Sequence, residues 1–218
     1  MPTQQTLYSQ KLYRVSHLKN YLIQRLDGSQ TVKRLCRYLT TTPLLTRGYQ
    51  YDGKLIQQPD LVDSLLYNTV KDQNASIKEE TLIPYAFAET VLNDRKLSIF
   101  VHCPYSTFNL NAATGRGYSS GNDDVTGKHR FMIEVIYPIE YDRLEPFGEE
   151  RALLLGCEIL NLIDSHWVEG DIREIVGDCQ FKVQGEVSNL RLSTSGYMIL
   201  SIPVWTSVLA GMTEQPLD

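Results

Sequence analysis

The sequence predicts an α+β fold: a small, mostly antiparallel β-sheet packed by one main amphipathic helix. An N-terminal helical hairpin precedes the sheet, and a long glycine-rich β-hairpin tongue extends from it. Three observations carry this reading. Apolar residues recur every three to four positions before residue 40, they alternate with a period of two at 97–103 and 131–137, and a helical stripe returns at 150–167. With 218 residues and 42% apolar content, the chain can bury one good core or one core with a smaller appendage.

The first element follows from Tyr8, Leu12, Val15, Leu18, Leu22 and Leu26, which share one face of a helix. Asp27-Gly28-Ser29 ends it. Ser29 or Thr31 can cap a second helix carrying Val32, Leu35, Cys36 and Leu39, and Thr40 to Thr42 before Pro43 stop it. Residues 43–60 read as an irregular connection, Leu61–Val70 as a short helix capped by Asp60, and the polar residues 71–80 as a linker. The expected division is a basic helical region over 1–80 and an α+β domain over 81–218.

In the second part, Leu97, Ile99, Val101 and Cys103 alternate with Ser98, Phe100 and His102, and Phe131, Ile133, Val135 and Tyr137 with Met132, Glu134 and Ile136. Between these strands lies the tongue, residues 104–129, with Gly115, Gly117, Gly121 and Gly127 among serines and acids. Such a composition cannot build its own core and is expected to gain order on contact with something else. Glu149 and Glu150 favour a helix start through the macrodipole, and the stripe Leu153, Gly156, Ile159, Leu160, Ile163 and Trp167 makes this the main core helix. Strands at 179–187 and 197–204 follow, the latter packed through Met198, Leu200, Ile202 and Val204. Pro203 points to an edge or a strand end.

Charge divides the chain unevenly. Residues 1–73 carry ten Lys/Arg against five Asp/Glu, whereas residues 74–218 carry eleven against twenty-one, so an acidic body bears a basic head. Lys11, Arg14, Lys33, Arg34 and Arg37 are the candidates for docking a partner there. In the tongue, Tyr105, Phe108, Arg116, Tyr118 and Lys128 are candidates for a contact between subunits, because aromatics with neighbouring cations anchor well in protein pockets.

Chemistry-bearing patterns are sparse. The four histidines never stand at i, i+4, and the four cysteines form no CxxC pair, so no metal site or disulfide framework is expected and the thiols read as buried in a reducing compartment. Gly115-Arg116-Gly117 lacks the strand-to-helix setting of a phosphate loop. Ser119, Ser120 and Ser195 lack a GxSxG frame, and the acids Glu140, Asp142, Glu145, Glu149 and Glu150 straddle a helix start where carboxylates are favoured anyway. No enzyme, cofactor or metal is therefore expected. No apolar run is long enough to cross a membrane, and the first residues lack a signal peptide's basic and apolar regions, so neither membrane insertion nor secretion by the usual route is expected.

The order strand, glycine-rich tongue, strand, amphipathic helix and closing strands resembles the tail-terminator and tail-completion (neck) proteins of tailed bacteriophages. HRFMIEVIYP before the helix, ERALLLGCEILNLI within it, and DCQFKVQGEVSN followed by GYMILSIPVWTSV carry the resemblance, over a little more than half of the chain. It implies a non-enzymatic virion subunit, assembled in the host cytoplasm into a homo-hexameric ring that joins the tail tube to the head connector. DNA would pass through the lumen without specific binding. The alternatives are a head-completion, baseplate or tail-tube subunit, or a nucleic-acid-binding regulator that lays the Ser29–Leu39 helix in a groove.

Overall fold

A computed structural model describes residues 7–38, 40–44, 50–51, 54–55, 60–62, 82–83, 97–108, 127–145, 150–192 and 196–208. The helices are α1 (Leu7–Gly28), α2 (Gln30–Arg37), α3 (Arg151–Ile163) and α4 (Asp171–Val176), with a 3-10 turn at Ile139–Tyr141. The strands are β1 (Gln50–Tyr51), β2 (Lys54–Leu55), β3 (Leu82–Ile83), β4 (Ser98–Phe108), β5 (Gly127–Pro138), β6 (Cys179–Val183), β7 (Ser188–Leu192) and β8 (Tyr197–Val208). The class is α+β. Strands β4, β5, β8 and β6 form an antiparallel sheet in that order, β3 lies parallel on β4, and β1 and β2 pair separately.

The alternation seen in the sequence becomes the two faces of this sheet. Ile99 and Val101 of β4, Phe131, Ile133 and Val135 of β5, Leu200, Ile202 and Val204 of β8, and Phe181 of β6 are all buried on one face, where they meet the helices. Helix α1 contributes Leu18, Leu22, Ile23 and Leu26, and α2 contributes Val32 and Leu35, to the same cluster. The basic N-terminal helices are thus part of the sheet's own core. The boundary expected near residue 80, the 71–80 linker and most of the Leu61–Val70 helix lie outside the described residues, and residues 60–62 have no regular structure.

Helix α3 faces the sheet through Ala152, Leu155, Gly156, Ile159 and Ile163. The predicted stripe is corrected at both ends: Leu153 is 50% exposed, and Trp167 lies past the helix end and is 45% exposed. The shift has a local cause. A Cβ on Gly156 would come within 2.9 Å of Leu200 Cδ2, so α3 packs closely on β8 at that residue and turns this side of the helix toward the sheet.

Capping follows the sequence in one place and departs from it in another. Ser29 has extended backbone and its Oγ accepts the Val32 N–H at 3.3 Å, the expected N-cap of α2; the same hydroxyl donates to Glu158 of α3 at 2.7 Å. At the start of α3, Glu150 makes no side-chain cap bond. Asp142 serves instead, its Oδ1 accepting the Ala152 N–H at 3.0 Å and its carbonyl accepting the Arg151 N–H at 2.6 Å.

Pro203 lies within β8, between two partner strands, not at an edge. Strand β6 ends at Val183 opposite Val204, and β7 begins at Ser188 opposite Ser201. Pro203 therefore faces the break between them, where a missing N–H costs no ladder bond on that side. Its carbonyl still accepts from Gln184 N–H at 3.3 Å.

The helical layer is joined by Arg151, which is 1% exposed. Its Nε donates to Tyr141 O at 2.7 Å, Nη1 to Leu35 O at 2.6 Å and Tyr38 O at 3.0 Å, and Nη2 to Thr40 O at 2.5 Å. One planar cation thus satisfies carbonyls at and beyond the end of α2 and one in the 3-10 turn. We expect Arg151→Met to lower unfolding stability by about 3–5 kcal/mol, because the carbonyls it serves would stay buried without donors. Arg151→Lys should recover only a minor part, since an ammonium cannot match the fork. Urea denaturation followed by circular dichroism checks both; a loss under about 1 kcal/mol for Arg151→Met would contradict the role, as that is the range of ordinary surface substitutions.

Candidate functional site

Because side chains alternate along a strand, the residues that do not face the helices form a second surface of the sheet. Cross-strand register groups them into rows. Ser98, Ile136, Ile199 and Leu190 make one; Phe100, Glu134, Ser201 and Ser188 the next; then His102, Met132 and Pro203; then Arg130, Trp205 and Lys182; and last Lys128, Ser207 and Gln180. The face is graded. Phe100 and Ile136 at one end are buried, Met132 and Trp205 are half-buried, and Lys128 and Lys182 at the other end are exposed.

The row at Trp205 combines an aromatic ring with cations on both neighbouring strands. The Arg130 guanidinium lies 5.9 Å from the Trp205 ring centroid, a cation–π distance, and Lys182 stands directly opposite Trp205 on β6. By register this face carries one acid among the described strand residues, Glu134, and its Oε2 sits 3.0 Å from His102 Nε2. That carboxylate is engaged across the β4–β5 pair, two rows away from the tryptophan. The Arg130–Trp205–Lys182 row is therefore a cationic and aromatic platform on a paired three-strand scaffold.

The sequence-predicted residues fare unevenly. Lys128 lies on this platform and is exposed. Tyr105 and Phe108 belong to β4, where register sets Tyr105 opposite Arg130 and Phe108 opposite Gly127. Arg116 and Tyr118 fall in 109–126, outside the described residues. The tongue is corrected at its base, since Tyr105–Phe108 and Gly127–His129 are paired strand, after a register shift between His102 and Tyr105 that includes Pro104.

Two of the docking candidates are corrected. Lys33 and Arg34 are 7% and 5% exposed, with Lys33 Nζ donating to Val62 O at 3.5 Å and Arg34 pairing with Asp60 at 2.7 Å. Helix α2 packs on α3 and engages these two cations within the protein. Arg14 and Arg37 are half-buried, and the side chain of Lys11 is outside the described set. Arg130, Trp205 and Lys182 were missed. Their signal was present as cations and an aromatic at alternate, nominally solvent-facing strand positions, but it spreads over three strands whose register the sequence does not display.

Other polar groups are structural in character. Burial pushes the Cys36 thiol up to about 12, against the pull of Arg151 and Arg37, and the Cys179 thiol up to about 11, against a 2.8 Å hydrogen bond with Thr206 Oγ1. Neither is a thiolate at neutral pH. Where α3 ends, Arg25 Nη2 donates to Leu162 O at 3.2 Å and approaches His166 Nδ1 at 3.4 Å. An arginine can only donate, so Nδ1 accepts and the Nε2–H is left to donate to Tyr21 Oη at 2.9 Å. Burial holds the His166 pKa below its ordinary value, Arg25 lowers it further, and Glu169 opposes. Among the described residues, no group of three His, Cys, Asp or Glu side chains is placed to hold a metal ion, and no helix is long and apolar enough to cross a membrane. In comparisons with known proteins, no family model and no curated protein matches this chain.

His129, at the tip end of β5 and 1% exposed, is pushed down by burial to about 4. The unfolded chain takes up this proton near 6.5 while the fold resists it. The stability it contributes is therefore complete above 6.5 and is lost as pH falls toward 4, by roughly 3 kcal/mol from this group; His166 acts in the same direction. Denaturant midpoints measured from pH 7 to 4 should fall steadily, and His129→Gln should flatten the fall. An unchanged slope in that variant would show that His129 does not drive it.

Proposed function

We propose that the chain is a structural virion protein of a tailed bacteriophage, a tail-terminator or neck subunit that forms a homo-hexameric ring between tail tube and head connector. The observation that carries the reading is the one-sided layering of the sheet. The described helices pack on one face, while the other runs from buried apolar residues to an exposed cationic row beside the base of the β4–β5 hairpin. A subunit of a ring needs such a patterned surface together with an arm that can reach a neighbour.

In this reading the glycine-rich tongue, with Tyr105, Phe108, Arg116, Tyr118 and Lys128, lies against an adjacent subunit and gains order there. DNA passes through the centre without specific contacts, in keeping with the chain's net charge of −5. No catalytic role is assigned. Assembly takes place in the host cytoplasm and the finished protein resides in the virion.

Negative-stain images of the purified protein should show rings with an open centre, and native mass spectrometry should give six subunits. Limited proteolysis should cut within 104–129 in the free subunit and spare it in the ring. A strict monomer at high concentration, with the tongue already protected, would overturn the assembly reading.

A further inference from the structure

The cationic row at Trp205 has a counterpart of opposite charge elsewhere on the chain. Glu169, Asp171 and Glu174, in α4 and just before it, are all exposed. Helix α4 packs on α1, in the helical layer, while Lys182, Arg130 and Lys128 lie on the opposite face of the sheet. The two patches have opposite sign and lie on opposite layers of one subunit. Set on opposite layers, they can meet between chains in a head-to-tail arrangement, the heterologous contact that closes rings.

We propose that the Arg130–Trp205–Lys182 platform docks the acidic α4 region of a second copy of this chain, with Trp205 as the central anchor and Lys182 as the exposed charge that meets the acids around Glu174. The proposal deepens the ring reading by naming the two surfaces that meet. A second copy is favoured over nucleic acid as the occupant because the chain is acidic overall and the copy supplies Glu169, Asp171 and Glu174 against one cation there, Arg173, which is paired with Asp178 at 2.7 Å. An aromatic flanked by cations, half-buried and backed by a rigid sheet, is also the composition found at the centre of protein contacts.

The test compares wild type with Lys182→Glu, Glu174→Lys and the double variant by sedimentation velocity at low and high salt, with thermal melts to confirm folding. Both positions are exposed, so all four proteins are expected to fold. Wild-type association should weaken with salt. Each single variant should associate about tenfold more weakly or worse, because like charges then face each other, and the double variant should recover most of the loss. As a readout independent of those substitutions, Trp167→Phe leaves Trp205 as the single tryptophan, and its emission should shift to the blue on assembly.

Rings that form equally well in Lys182→Glu, or an emission that does not move on assembly, would overturn the interface while leaving the ring reading intact. A salt-sensitive, Lys182-dependent closed dimer would sustain the interface and overturn the ring. Labelled duplex DNA that binds wild type and is lost in Lys182→Glu, with self-association unchanged, would reassign the platform to nucleic acid. A wild type that stays monomeric at low salt would remove both readings.

Discussion

The guanidinium of Arg151 decides how the two halves of this chain fit together. A helix as short as α2 has little stability of its own, because nucleation is costly and eight residues form few internal hydrogen bonds. Its end leaves carbonyls with no intrahelical partner, and the chain then turns through Tyr38 and Thr40 toward the sheet. Arg151 supplies donors to Leu35, Tyr38 and Thr40 while also holding Tyr141. Since Arg151 is the first residue of α3, whose opposite end is tied to β6 by the Asp164 carboxylate accepting the Val183 N–H at 2.8 Å, one side chain fixes the position of α2 relative to the sheet. Burying the cation lowers its pKa, and the polar carbonyls around it offset the cost of desolvation.

This arrangement explains why some features were legible in the sequence and others were not. Periodicity is a local property, so the faces of α1, β4, β5 and β8 could be read from spacing alone. Ser29 could be recognised as a cap because its partner, Val32, is three residues away. Arg151 could not be recognised, because three of its four acceptors are more than a hundred residues distant and a lone arginine at a helix start resembles any solvated charge. The burial of Lys33 and Arg34 was hidden too, because their partners Val62 and Asp60 lie beyond an irregular connection and their place among apolar neighbours suggested an outer face. Asp142 replaced Glu150 as the α3 cap for a related reason: the 3-10 turn brings residue 142 back to the helix start, and only the folded path shows it.

The platform at Trp205 was invisible for a topological reason. Arg130 and Trp205 become neighbours through the β5–β8 pairing, and Lys182 joins them because β6 pairs with the far end of β8. Lys128 alone was selected, on its proximity to the tongue. Pro203 had argued for an edge, yet it marks where β6 gives way to β7 along one long strand. That break also shapes the surface. It leaves the Trp205 row supported by β6 and the apolar rows supported by β7, so the two ends of the face are backed by different segments and can carry different chemistry.

A surface graded from apolar to cationic also restricts how a partner can lie on it. An apolar patch alone is non-directional, since the hydrophobic effect scales with area and tolerates rotation of the partner. Adding charge at one end breaks that symmetry: a partner rotated by half a turn would carry its acids away from Arg130 and Lys182. For a ring this matters more than affinity, because each subunit must repeat one fixed angle for the circle to close. The pairing of Glu134 with His102 serves the same end. It engages Glu134 within the subunit, two rows from Trp205, so that among the described strand residues the acid and the cations of this face occupy different positions along it.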